Sequence, residues 1–311
     1  MPPLLSVAVV VYNQEKYISQ TLDSIIDQEH DYPYEIVIGD DCSTDDTRNI
    51  LQKYREKHPE TIKLLLNEKN TGLKKNTYNV YGNCSGKYIM QCDGDDYWLP
   101  GKINIQISFM ENNPLAGMCC GQALFLYGNN RFVSNPFRGK ITFNELIAGN
   151  PIPALTACFR NILLQKYIEE INPLEKNWLT EDYPVWLWLA HNSKIVFLDN
   201  NFGVHRCLQG TLSRPKNLQK FEQFTVSTYD IKYFFLSLYN IPHLKEELEN
   251  EKMKLLASYA ALNRQYYFYK KYISGVSGSE FKTQVKRIFG LWICLFNIYW
   301  FYLKLKSLLI N

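Results

Sequence analysis

The chain has 311 residues, 46% of them hydrophobic and 21% charged, with a formal net charge of +3. That composition suits one large folded domain with a smaller addition, or two domains, and excludes a disordered or low-complexity chain. The charge is too small and too dispersed for a nucleic-acid binder.

The cysteines, Cys42, Cys84, Cys92, Cys119, Cys120, Cys158, Cys207 and Cys294, form no Cys-x-x-Cys pair. A zinc ribbon and a thioredoxin-like motif are therefore excluded. A large α/β core needs no disulfide framework, and a reducing cytoplasm is the expected setting. Met1-Pro2-Pro3-Leu4-Leu5 runs straight into a strand pattern, with no charged n-region of a signal peptide.

In chain order, residues 6–11 are apolar and mostly β-branched, as a strand covered on both faces should be. Residues 15–28 place Tyr17, Ile18, Leu22, Ile25 and Ile26 at helical spacing. Residues 35–39 read as a second strand, running into Asp40 and Asp41. Ser43, with Asp46 three residues on, resembles a helix N-terminus ahead of Ile50, Leu51 and Tyr54. Residues 62–66 and 87–92 complete four strands. Strands separated by helices predict right-handed crossovers and a mainly parallel α/β sheet.

Pro100 precedes a helix over 102–112, and a strand follows over 118–126. Pro136, Pro151, Pro153 and Pro173 then mark loops. A Trp-rich helix is predicted at 185–190, a short strand at 195–198, and helical character over 217–273. Residues 288–303 are apolar or aromatic except Gly290 and Asn297, with Lys282, Lys286 and Arg287 before them and Lys304 and Lys306 after. As a helix this stretch is about 24 Å long, short of a roughly 30 Å hydrocarbon core. Basic flanks with Trp292, Tyr299, Trp300 and Tyr302 suit a helix lying on an anionic membrane surface. A tilted span and a helix packed on its own domain are the alternatives. The predicted organisation is 1–214, a helical region at 215–279, and a membrane-associating helix at 280–311.

Chemistry concentrates in Cys92-Asp93-Gly94-Asp95-Asp96-Tyr97-Trp98, which follows the fourth strand. Carboxylates at the carboxyl end of a strand in an open α/β sheet lie where ligands bind. Such a cluster suits Mg²⁺ or Mn²⁺, and through the metal a diphosphate, although an Asp/Gly-rich turn has the same composition. Parallel strands deliver Val11-Tyr12-Asn13, Asp40-Asp41 and Asp93-Gly94-Asp95-Asp96 to one side of the sheet. A further acidic pair, Glu181-Asp182, precedes the Trp186/Trp188 helix.

These motifs resemble the family 2 glycosyltransferases. The resemblance runs over about residues 4–214, through Ser6 to Asn13, Glu35 to Thr47, Asn70-Thr71-Gly72, Gly86 to Ile89, Asp93 to Asp96 and Glu181-Asp182. It implies a GT-A fold, a nucleotide-sugar donor, a divalent metal, and single displacement with inversion. Asp95 then matches the metal acid and Asp93 the acid facing the donor's ribose or sugar. Asp96 either braces the loop or touches sugar hydroxyls. Asp41 matches an acid reading the ring N–H of a uracil- or thymine-like base, while Asp40 either joins it or holds the loop. Val10 and Tyr12 line the base pocket, unless Tyr12 is a core aromatic.

Asp182 matches the catalytic base, with Glu181 sharing or tuning that role, although both acids also suit a helix start. His205-Arg206 stands where relatives often carry Tyr-Arg. His205 is a candidate metal ligand and Arg206 a phosphate ligand, with a structural histidine equally compatible. The implied partners are a saccharide or lipid-linked saccharide acceptor and the inner face of the cell membrane, in surface-polysaccharide synthesis. Donor and acceptor specificity is expected from the loops at about 125–177 and from the helical C-terminal part. A processive synthase is disfavoured because no Gln-x-x-Arg-Trp motif is present. A nucleotidyltransferase lacks its Gly/Arg/Lys-rich loop here, and a catalytically silent nucleotide-sugar binder would not need the full set of acids.

Overall fold

The computed structural model describes residues 2–128, 131–134, 139–208, 210–211, 217–263 and 265–277. Two compact units divide at Gln209 and Gly210. The segment 280–311, with its expected membrane-associating helix, lies outside the described residues. Among the described residues no helix is long and apolar enough to cross a membrane.

The first unit is built on β1 (Leu5–Val11), buried along its whole length as its β-branched sequence predicts. It pairs in parallel with β2 (Tyr34–Asp40) on one side and β4 (Tyr88–Asp93) on the other, and β2 pairs with β3 (Ile62–Leu66). Helix α1 (Ile18–Ile26) buries Ile18, Thr21, Leu22 and Ile25. It starts three residues later than the periodicity predicts, because Gln14 to Tyr17 make a turn whose Gln14 carbonyl accepts from the Tyr17 and Ile18 amides. Helix α2 spans Thr47–Lys57 with no side-chain cap. Ser43 does not start it: its hydroxyl accepts from the Asn13 amide and ties the first loop to the second.

Helix α3 (Leu73–Gly82) escapes the apolar pattern, because its buried face carries Asn76 and Thr77 beside Tyr78, Val80 and Tyr81. Asn76 donates to the Gly39 carbonyl at 2.8 Å, so this polar residue faces the sheet. A Cβ on Gly39 would sit 2.4 Å from Val80 and 2.7 Å from Asn76, and only glycine lets helix and strand approach so closely.

Beyond β4 the sheet becomes mixed. Added here are β5 (Tyr97–Trp98), α4 (Lys102–Asn112), β6 (Ala116–Tyr127), β7 (Arg131–Ser134), α5 (Phe143–Ala148), β8 (Cys158–Arg160), α6 (Asn161–Ile171), α7 (Tyr183–Asn192) and β9 (Lys194–Arg206). The strand order is β3-β2-β1-β4-β8-β6-β9-β5, with β7 on β6. The short strand expected at 195–198 continues to Arg206. Register shifts around Gly121 and Gln122 on its partner β6 let the pairing absorb the polar stretch that interrupts its alternation. This extension sets Phe125 opposite His205 and Leu126 opposite Arg206, while β5 pairs Tyr97 with Val204. The far end of β9 thus arrives beside the acidic loop.

The second unit contains α8 (Leu218–Leu238), α9 (Lys245–Leu262) and α10 (Tyr266–Ile273). The Asn217 side chain caps α8 by accepting from the Lys220 amide. Leu218, Leu256, Ala257, Ala260, Ala261, Tyr269 and Tyr272 form its core, with Phe221 stacked on Tyr259 at 3.7 Å. The small alanines on α9 allow that close approach.

Candidate active site

The acidic loop is a tight turn at the carboxyl end of β4. The Gly94 amide donates to the Val10 carbonyl and the Asp96 amide to the Asp93 carbonyl, both at 3.0 Å. From α1, the Thr21 hydroxyl reaches the Gly94 and Asp96 carbonyls at 2.9 and 2.6 Å. A Cβ on Gly94 would lie 2.2 Å from Gln14 Oε1, which explains the glycine between two acids.

The three acids differ in environment. Burial, then the charges of Asp96 and Asp95, push the Asp93 carboxyl up to about 7. Burial, then Asp96, pushes Asp95 up to about 6. Asp96 is the most enclosed, at 1% exposure, and both its oxygens have partners. Oδ2 lies 3.0 Å from His205 Nδ1, and Oδ1 accepts the Arg206 amide at 2.8 Å. Burial opposes charge on His205, but its bond to Asp96 outweighs that and raises its pKa.

Arg206 faces inward. Its guanidinium donates to the Asp95 carbonyl and to Gln20 Oε1. It lies between the rings of Tyr17 and Tyr97, at 4.9 and 4.8 Å from their centroids.

Around the ends of β1 and β2, Val10 is buried and Tyr12 is 46% exposed, so Tyr12 is not a core aromatic. Asp41 Oδ1 accepts from the Thr71 amide at 2.7 Å, the Thr71 hydroxyl at 2.9 Å and Asn67 Nδ2 at 3.0 Å. Its Oδ2 accepts the Gly72 amide at 2.8 Å. Burial works against this carboxylate, but those bonds hold its pKa below the ordinary value. Asp40 is fully buried, accepts from the Ser43 amide, and pairs with Arg48 at 2.6 Å. Asp40 therefore faces its own loop and α2.

Glu181 and Asp182 stand at the start of α7. Asp182 caps the helix, accepting the Tyr183 amide on Oδ1 at 2.6 Å. Burial raises its pKa against the pull of that bond. Glu181 is 6% exposed, and its pKa is raised well above the ordinary value by burial, then by Asp182 and Asp93. Asp93 in turn feels Asp182, so the acidic loop and the Glu181-Asp182 pair share one electrostatic neighbourhood.

Several residues of this site have no part in the sequence motifs: Gln91 and Tyr81 beneath the acids, Asn67 on Asp41, and Tyr97 beside Arg206. Gln91 was legible, as the one amide inside an otherwise apolar strand run.

Among the described residues no group of three or more His, Cys, Asp or Glu side chains is arranged as a complete metal cage. Mg²⁺ and Mn²⁺ bound with a nucleotide need only one or two protein ligands, because phosphate oxygens and water fill the remaining positions. Asp95 and His205 could serve as a donor set of that kind, with Asp96 on His205 Nδ1 leaving Nε2 as the free imidazole nitrogen.

The model for Glycosyl transferase family 2 matches residues 6–171, and the chain belongs to that family. It is 30% identical over 161 residues to a Mycobacterium tuberculosis protein, covering 50% of this chain and 46% of that one. It is 34% identical over 157 residues to the putative teichuronic acid biosynthesis glycosyltransferase TuaG of Bacillus subtilis, covering 50% and 61%. The chain thus spans about half the length of these curated relatives. A longer match, 30% over 225 residues, covers 68% of the chain and 81% of Escherichia coli WfgD, a UDP-Glc:alpha-D-GlcNAc-diphosphoundecaprenol beta-1,3-glucosyltransferase.

Among solved structures, S. aureus TarS 1-349 in complex with UDP-GlcNAc superposes with a TM-score of 0.56 at 20% identity, covering 88% of this chain and 92% of that one. The Pyrobaculum calidifontis mannosyltransferase PcManGT, in complex with GDP-Man and Mn²⁺, gives 0.57 at 14% identity, covering 95% and 81%. The fold is the α/β GT-A architecture that these glycosyltransferases share.

Proposed function

We propose that the protein is an inverting, metal-dependent glycosyltransferase that moves a sugar from a UDP- or dTDP-linked donor to a saccharide or lipid-linked saccharide in surface-polysaccharide synthesis. The observation that carries this reading is the tight turn at the carboxyl end of β4, which sets Asp93, Asp95 and Asp96 together and is held from β9 by His205 and Arg206. In the reaction an acceptor hydroxyl oxygen attacks the anomeric carbon. The bond from that carbon to the diphosphate oxygen breaks and its electron pair leaves with the nucleoside diphosphate. The acceptor's proton passes to Asp182, with Oδ2 as the receiving atom because Oδ1 holds the helix start.

Asp95 and His205 would hold the divalent ion, which supplies positive charge against the leaving diphosphate. Asp93 faces the donor sugar or ribose, and the exposed Tyr12 ring with the Val10 backbone borders the base. Asp41 reads the base edge by exchanging part of its hold on Thr71 and Gly72. Asp40, Asp96 and Arg206 act by shaping the site, since each is engaged with protein partners.

Asp95→Asn and Asp182→Asn test this reading. Both should abolish transfer in protein that remains folded, and full activity in either would remove the assignment. Association with the inner face of the cell membrane through residues 280–311 rests on their basic and aromatic sequence. Unchanged membrane partitioning after deletion of that segment would sink it.

A further inference from the structure

Gln91 lies beneath the reacting groups and belongs to none of the family motifs above. It is 1% exposed, in the middle of β4, on the same side of the strand as Asp93 two residues on. An uncharged amide there costs free energy unless it is hydrogen-bonded. Its partners account for it. The Tyr81 hydroxyl, on α3, donates to Gln91 Oε1 at 2.6 Å. Gln91 Nε2 donates to Asp93 Oδ1 at 3.3 Å, and the same amide faces the Glu181 carboxyl, where it works against burial to lower that group's pKa.

The direction of the amide follows from chemistry. Carboxyl oxygens accept, so the two N–H groups of Gln91 must face Asp93 and Glu181. The carbonyl end then needs a donor, and the fully buried Tyr81 phenol is the group that meets it. Tyr81 is itself fixed by ring edges from Tyr78 and Phe159, at 5.9 and 6.1 Å. An amide with two donors lets two acids converge without a lysine or arginine, whose charge would compete for the diphosphate.

We propose that Gln91 is a positioning residue for sugar transfer: one amide, locked by Tyr81, holds the Asp93 and Glu181 carboxyls in the arrangement that turnover requires. It thereby links the donor side of the site to the helix start that carries Asp182. This rests on the roles given above to Asp93 and Asp182.

The test compares Gln91→Met, Tyr81→Phe and the double variant with wild type. UDP-glucose, UDP-N-acetylglucosamine and GDP-mannose serve as donor probes with Mn²⁺, and nucleoside diphosphate release is the readout. Gln91→Met should lower kcat by about 10- to 100-fold, the usual scale for a residue that orients a ligand, while the donor KM changes less. Tyr81→Phe should lower kcat several-fold. The double variant should be no slower than Gln91→Met, because Tyr81 acts through Gln91.

Wild-type kcat in Gln91→Met, or losses that multiply in the double variant, would overturn the proposal. So would a lower melting temperature with kcat per folded enzyme unchanged, which is what a purely structural role produces. If Gln91→Met does not fold, Tyr81→Phe decides alone, and an unaltered kcat there is equally fatal. Asp182→Asn in the same assay is the separate control on the reading of the site: full turnover in that variant removes the base assignment and leaves the Gln91 results to be judged on their own.

Discussion

His205 and Asp96 are joined by a 3.0 Å contact between Nδ1 and Oδ2, and Asp96 is nearly enclosed while His205 is partly exposed. A carboxylate on Nδ1 fixes the proton there and turns Nε2 into the electron-pair donor, the arrangement that metal-binding histidines use. Asp96→Asn reverses that preference by presenting an N–H to Nδ1, so that the ring proton moves to Nε2. The Mn²⁺ affinity measured calorimetrically in the presence of UDP should fall by about 10- to 100-fold. An unchanged affinity would leave His205 as a packing residue.

Glu181 and Asp182 are adjacent but not equivalent. Burial, then Asp182 and Asp93, raise the Glu181 pKa well above its ordinary value and the side chain is enclosed, whereas Asp182 is partly exposed at the helix start. Glu181→Gln should therefore keep turnover within several-fold at pH 7, and Asp182→Asn should lose roughly 10²- to 10⁴-fold. Equal losses in the two variants would move the base to Glu181.

The same burial has a stability consequence. A carboxyl whose pKa is raised on folding contributes stability that is fully present below its unfolded value of 4.5 and is lost as pH rises toward the folded value. Glu181→Gln should thus melt higher than wild type at neutral and alkaline pH. The difference should shrink toward pH 4.5, and melting curves across that window check it.

Lys102 behaves in the opposite sense. It is fully buried on α4, bonded to Gln106 and set over the rings of Trp98 and Phe202 at 4.6 and 5.5 Å. Burial lowers its pKa from 10.5 to about 8. Between those values the unfolded chain binds more protons than the folded one, so stability from this lysine rises with pH from about 8 to 10.5. The difference in melting temperature between wild type and Lys102→Met should change across that window in favour of wild type. A difference that stays constant with pH would show that the lysine is charged in the fold at all of them.

Gly94→Ala places a methyl 2.2 Å from Gln14 Oε1 and 3.1 Å from Val11 Cγ2. The end of Gln14 can shift, so the stability cost should be about 1–3 kcal/mol. The loss in kcat should be larger in proportion, because the turn that spaces Asp93 from Asp95 must deform. A stable variant with wild-type kcat would mean that the spacing is not critical.

Much of this was legible in the sequence, and the exceptions share causes. The parallel strands showed because β1, β2 and β4 are buried on both faces and read as apolar runs. Helix α3 did not, because Asn76 and Thr77 sit where apolar residues would mark the buried face. Strand β9 looked short because Asp199, Asn200 and Asn201 break its pattern, and only pairing with β6 carries it on to Arg206. In the site, the acids stood out as motifs, but their partners did not. Nothing in the local sequence reports that Tyr81 meets Gln91, or that Tyr17 and Tyr97 enclose Arg206, since each contact joins different elements.

The stretch matched by the family model stops at Ile171, short of α7 and β9. Everything that grips the acidic loop from its far side, His205 and Arg206, comes after that point, and so does Asp182. One continuous segment therefore delivers both the proposed proton acceptor and the latch on the loop. A chimera that joins residues 1–171 of this chain to the continuation of another family member would exchange the two together. Acceptor chemistry and the setting of the acidic loop would then be inherited as a single cassette rather than tuned apart.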